Sequence, residues 1–82
     1  MKVVQVLGPG CAKCKEAARV AEAAADEAAA KFGVEARVEK VTDMQKIMEL
    51  GVFSTPAVAV DGQVKAVGRV PSQKDIVGWL ED

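Results

Sequence analysis

The chain has 82 residues, half of them apolar, with eleven basic and twelve acidic side chains and a net charge of −1. So short a chain supports one compact core that buries only about 60 to 65% of its unfolded surface, so a single domain over residues 1–82 is expected. Balanced charge without a long run of either sign argues against nucleic acid or an anionic membrane as partner, and the lack of His and Tyr removes the usual imidazole bases and metal ligands.

The first stretch, Lys2-Val3-Val4-Gln5-Val6-Leu7, is a short β-branched apolar run and reads as a strand, broken by the turn formers Gly8-Pro9-Gly10. It is too short for the apolar part of a secretory signal, and no stretch approaches the roughly 20 apolar residues of a membrane span. A cytoplasmic location without membrane contact is expected. Cys11-Ala12-Lys13-Cys14 follows, holding the only two cysteines, where the strand hands over to a helix. A C-x-x-C pair in that position is the mark of a thiol/disulfide redox site.

The spacing lets the two sulfurs meet across the first helical turn. There the free backbone N–H groups and the positive end of the helix dipole favour a thiolate on Cys11. Cys11 is therefore the expected nucleophile, with a pKa held below the ordinary thiol value, and Lys13 adds positive charge to the same end. Cys14, one turn further in and more buried, is the expected resolving thiol. Two other uses of the pair compete with this one. As a structural disulfide, a four-residue ring contributes only about 2 kcal/mol by the loop-entropy relation. As a zinc site it needs four ligands, and the chain offers two thiols and no His.

From Ala12 or Cys14 to Phe32 the sequence is strongly helix-forming, and Gly33 is a good stop. Val20, Ala21, Ala24, Ala28 and Phe32 recur at helical spacing and are expected to face a sheet, with Glu16, Arg19, Glu22, Asp26 and Lys31 in solvent. Val34 to Val41 alternates apolar and charged residues, as a half-buried edge strand does. Thr42 or Asp43 then caps a short helix, Met44 to Leu50, ended by Gly51, whose Met44, Ile47, Met48 and Leu50 are expected in the core rather than on a metal. Thr55-Pro56 leads into a buried strand, Ala57 to Val60. Asp61-Gly62 is a two-residue hairpin turn and Gln63 to Val67 the return strand. Ser72 and Asp75 resemble a capping box for a last helix containing Ile76, Val77, Trp79 and Leu80. The order is βαβαββα, an α/β arrangement in which a parallel βαβ unit is extended by an antiparallel hairpin into a four-stranded mixed sheet flanked by three helices.

The C-x-x-C at the start of helix one, the Thr-Pro before strand three, the Asp-Gly hairpin and Gly68-Arg69-Val70-Pro71-Ser72 before the last helix resemble the small thioredoxin/glutaredoxin-like redox-active disulfide proteins of archaea and bacteria. The likeness spans essentially the whole chain and implies a thioredoxin-like fold. It also implies that the Thr55-Pro56 bond is cis, packs beside the disulfide, and leaves the Thr55 backbone free to pair with a substrate. The chain departs from thioredoxins in having Gly10 where they carry Trp, and Gln5 near the place of their buried acid. It departs from glutaredoxins in having Gly68-Arg69 where they show a Gly-Gly-Asp type contact. The activity implied is thiol-disulfide oxidoreduction of protein disulfides, without a cofactor. The chain would act as a monomer, served by an upstream reductase of the thioredoxin reductase kind rather than by glutathione. The rival reading is a soft-metal module, carrying zinc or copper on the same two thiols. Copper-carrier domains, however, are ordered βαββαβ, with a hairpin directly after helix one.

Overall fold

The computed structural model describes residues 1–81. Seven elements follow one another as β1 (Lys2–Leu7), α1 (Ala12–Phe32), β2 (Ala36–Val41), α2 (Met44–Glu49), β3 (Ala57–Val60), β4 (Gln63–Val67) and α3 (Gln73–Glu81). The strands form one sheet in the order β2-β1-β3-β4. β2 runs parallel to β1, with Lys2 opposite Ala36 and Leu7 opposite Val41. β3 is antiparallel to β1, and β4 to β3. The expected α/β order and mixed sheet are both present, with β2 at an edge as its charged alternation indicates.

The ends of the elements are set by local chemistry. α1 stops because Gly33 adopts a left-handed conformation (φ 66°), letting the Gly33 and Val34 N–H groups return to the Ala29 and Ala28 carbonyls. Of the two residues able to cap α2, Asp43 does so, its carboxylate accepting from the Gln45 N–H at 2.9 Å. Ser72 Oγ accepts from the Asp75 N–H at 3.1 Å to start α3. The hairpin turn has positive φ at both Asp61 (51°) and Gly62 (84°), the twist that two-residue loops favour. Asp61 does more than turn the chain. Its N–H donates to the Val3 carbonyl and its Oδ1 accepts from the Val3 N–H, both at 2.9 Å, so it extends the β1–β3 ladder. In β4 the register shifts at Val58/Ala59, leaving Lys65 as the extra residue of a bulge.

Neighbouring strand residues point to opposite faces, and the two faces are unequal. Val4, Val6, Val58 and Val60 meet an alanine stripe of α1 (Ala17, Ala18, Ala21, Ala24, Ala28) and Ile76, Val77 and Leu80 of α3. The small side chains allow α1 to lie close on the sheet. On the other face Leu7 and Ala57 meet Ile47 of α2 and Val52, with Val41 and Val64 packed at the margin.

Four apolar residues expected in the core are largely exposed: Phe32 (50%), Met44 (46%), Met48 (53%) and Leu50 (38%). A 21-residue helix is about 31 Å long and a six-residue strand about 20 Å, so the last turn of α1 with Phe32 overhangs the sheet. α2 has only six residues and sets down one of them, Ile47, leaving Met44 and Met48 on its flanks. Val20 and Trp79 are half-buried against the larger core. Among the described residues no helix is long and apolar enough to cross a membrane.

Candidate active site

The loop after β1 delivers Cys11 to the N-cap of α1 in extended conformation (ψ 169°), and there its Sγ accepts from the Cys14 N–H at 3.2 Å. That bond uses one of the N–H groups a helix start leaves free, so the exposed sulfur sits where negative charge is favoured. The first turn of α1 carries no acidic residue to oppose it. Lys13 and Lys15 stand exposed in that turn and take part in none of the ion pairs among the described residues. Cys14 is 5% exposed, and the two cysteines form a disulfide with their Cα atoms 5.0 Å apart. One sulfur is therefore presented to solvent and the other held within the fold.

Gly8 is the floor of this arrangement. A Cβ there would overlap Cys14 Sγ, come within 3.2 Å of Cys14 Cβ, and lie 3.6 Å from Thr55 Cβ. The end of β1 is thus pressed against the inner cysteine, and Thr55 closes in from the other side. The Thr55-Pro56 bond is cis, as the family likeness implies. Pro56 is buried just before β3, and its carbonyl accepts from the Gly68 N–H at 2.9 Å. Gly68, at φ 73°, has room for only a tight Cβ, 3.3 Å from Ser54 Cβ. Gly8 thus lies between Cys14 and Thr55, the residue joined by the cis bond to Pro56, and Lys13 is on the helix turn that carries Cys11 and Cys14. The backbone N–H and C=O of Thr55 take part in no hydrogen bond among the described residues.

Two features of the site escaped the sequence. In the sequence Gly8 reads only as a turn former, yet its lack of a side chain admits Cys14. A cavity of about 260 Å³ also opens behind Cys14, between α1 and the end of β2, with Lys15, Arg19, Glu22, Lys40 and Thr42 in its wall. No local signal marks it, because β2 joins the site only through the pairing of β1 and β2. On the opposite face Gln5 Nε2 donates to Glu39 Oε1 at 3.5 Å, and Glu39 also pairs with Arg37 at 2.6 Å. Glu16 holds the Arg19 guanidinium above its ordinary pKa, first by their hydrogen bond and then by charge. Among the described residues no group of three or more Cys, Asp, Glu or His is gathered around a common point, so the thiols remain a two-ligand set.

Such a pair, joined at a helix N-terminus on a sheet of this order, has the chemistry of a thiol-disulfide oxidoreductase, and the soft-metal reading is not favoured. The chain belongs to the thioredoxin domain family, whose model matches residues 2–81. It is 40% identical over 76 residues to a thioredoxin of Methanothermobacter thermautotrophicus, covering 93% of this chain and 94% of the relative. A thioredoxin of Methanocaldococcus jannaschii is 37% identical over 76 residues, covering 93% and 83%.

Proposed function

We propose that the chain reduces or exchanges protein disulfides through a mixed disulfide on Cys11 that Cys14 resolves. The observation carrying this is the inequality of the sulfurs: Cys11 is exposed and accepts a helix N–H, whereas Cys14 is buried. Cys11 thiolate attacks one sulfur of a substrate disulfide and expels the other as thiolate. Cys14 then loses its proton and attacks Cys11 Sγ. The second substrate sulfur leaves and the Cys11–Cys14 bond closes, so two electrons pass from the dithiol to the substrate. The unpaired backbone of Thr55 offers a donor and an acceptor to an extended substrate segment, Pro56 shapes the surface beside it, and Lys13 supports the Cys11 thiolate. The 82 residues work as one monomeric domain in the cytoplasm without a cofactor. Because the relatives are thioredoxins, the electrons come from a reductase of the thioredoxin reductase kind rather than from glutathione.

Cysteine variants test the roles. Cys14→Ser should accumulate mixed disulfides with protein substrates, detected by non-reducing electrophoresis and mass spectrometry, while Cys11→Ser should accumulate none. Equal trapping by both variants contradicts the assignment.

A further inference from the structure

We infer that Lys40 of β2, facing Cys14 across the cavity behind the disulfide, is a positioning residue that stabilises the resolving thiolate while cavity water carries its proton away. The inference rests on the proposed roles of Cys11 and Cys14. Resolution needs Cys14 as a thiolate, yet Cys14 is 5% exposed, and burial disfavours the charged form. The helix end serves the other sulfur, since Cys11 caps it. Gln5 on β1 cannot titrate, and the chain has no His or Tyr to accept a proton.

The charged groups facing Cys14 through the cavity are Lys15, Arg19 and Glu22 from α1 and Lys40 from β2. β1 contributes only Val6, Gly8 and Gly10 after it, and the segment touching Cys14 through Gly8 contributes Thr55, so neither adds charge. Arg19 and Lys40 are both exposed, but Arg19 is committed to Glu16. Lys15 lines the cavity too, but as the residue after Cys14 it diverges from it by about 100° around the helix. Lys40 pairs in register with Val6, which is buried on the α1 face, so its side chain rises on that face towards the helix. It takes part in none of the ion pairs among the described residues. The wall is more apolar than polar, but Lys15, Arg19, Glu22, Lys40 and Thr42 give water polar partners in it, and the volume of about 260 Å³ accommodates several waters at about 30 Å³ each.

A sphere of that volume is about 8 Å across, and at that range a single charge in a half-aqueous setting shifts a thiolate equilibrium by roughly three- to tenfold. Nucleophilicity falls as pKa falls, so the rate responds about half as strongly in logarithmic terms. Replacing Lys40 should then slow resolution about two- to fourfold below the midpoint and raise the midpoint by about 0.5 to 1 pH unit.

The test is stopped-flow reaction of the reduced protein with one equivalent of the neutral reagent 4,4′-dithiodipyridine, followed against pH. The first thiopyridone released reports attack by Cys11, and the second reports closure by Cys14. Lys40→Gln should slow the second release and raise its midpoint while leaving the first release within about twofold, and Lys40→Arg should restore both values. A second release unaltered in rate and midpoint overturns the inference, as does equal slowing of both releases or failure of Arg to restore them. If Cys11→Ser keeps the rapid first release, the cysteine roles themselves fall, and Lys40 with them. If the first release is lost in that variant but the second ignores Lys40, only the part given to Lys40 falls.

Discussion

Gly8 and Gly10 flank the same proline and are glycine for different reasons. Gly10 has a left-handed φ of 101° and nothing within 4 Å of where its Cβ would lie, so a side chain there meets backbone strain and no neighbour. Gly8 has no such φ, but any side chain would occupy the space of Cys14 Sγ. The contact involves Cβ and Sγ of a residue fixed by α1, with no flexible chain end to swing aside. Gly8→Ala should therefore cost about 1–3 kcal/mol, as overpacking does, and should also displace Cys14 from Cys11. Two measurements check it. Urea unfolding should show the loss in stability, and the second thiopyridone release described above should slow while the first holds. A variant with native stability and native closure would mean that β1 yields easily and that Gly8 is only a turn residue.

At the scale of elements, the β3–β4 turn is a second tie between β1 and β3, because Asp61 both bends the chain and bonds Val3 through its backbone and its carboxylate. Asp61→Ala should cost about 1–2 kcal/mol, from the lost hydrogen bond and from a left-handed conformation that Ala tolerates poorly. Asp61→Asn keeps an acceptor and tolerates that conformation, so it should stay within about 0.5 kcal/mol of the parent. Equal losses in chemical unfolding would mean that the Val3 bond contributes nothing. The turn itself was legible in Asp61-Gly62, as was the extent of α1 in its alanines and Gly33, because each depends on residues adjacent in the chain. The bond to Val3 was not, since it needs the partner strand in place. The misplaced Phe32, Met44, Met48 and Leu50 have the same origin. Apolar spacing tells which side of a helix can be buried, but not how far the sheet extends beneath it. At the site, the Cys11–Cys14 pairing could be read from spacing and the cis Thr55-Pro56 bond from family likeness. The closeness of Gly8 to Cys14 and of Lys40 to the cavity needed the assembled sheet.

Across the whole molecule, the sheet is clamped unevenly. One face carries α1 and α3 over a core of twelve buried residues, whereas the other carries α2 over four, with Ile47 as the only buried side chain of that helix. Opening free energy follows buried apolar contact, so α2 and the residues after it should detach before the rest of the fold unfolds. Hydrogen exchange under native conditions distinguishes the two modes. The Ile47, Leu50 and Val52 N–H groups bond within the α2 region, to the carbonyls of Asp43, Lys46 or Ile47, so their exchange reports its opening. They should exchange with a small opening free energy that hardly changes with low urea, since detaching six residues exposes little surface. Amides of β1 and β3 should exchange only through global unfolding, with the full urea dependence. Ile47→Ala removes the one anchor and should abolish the residual protection of α2, while the overall loss of stability stays no larger than the small opening free energy, because the detached state does not feel the substitution. If the α2 amides instead share the urea slope of β1, the two faces are one cooperative unit. In the proposed function such local opening has a use, because the chain leaving α2 runs through Phe53 and Ser54 to Thr55. That segment would adjust to a substrate while Cys14, anchored in α1 on the larger face, kept its place beside Cys11.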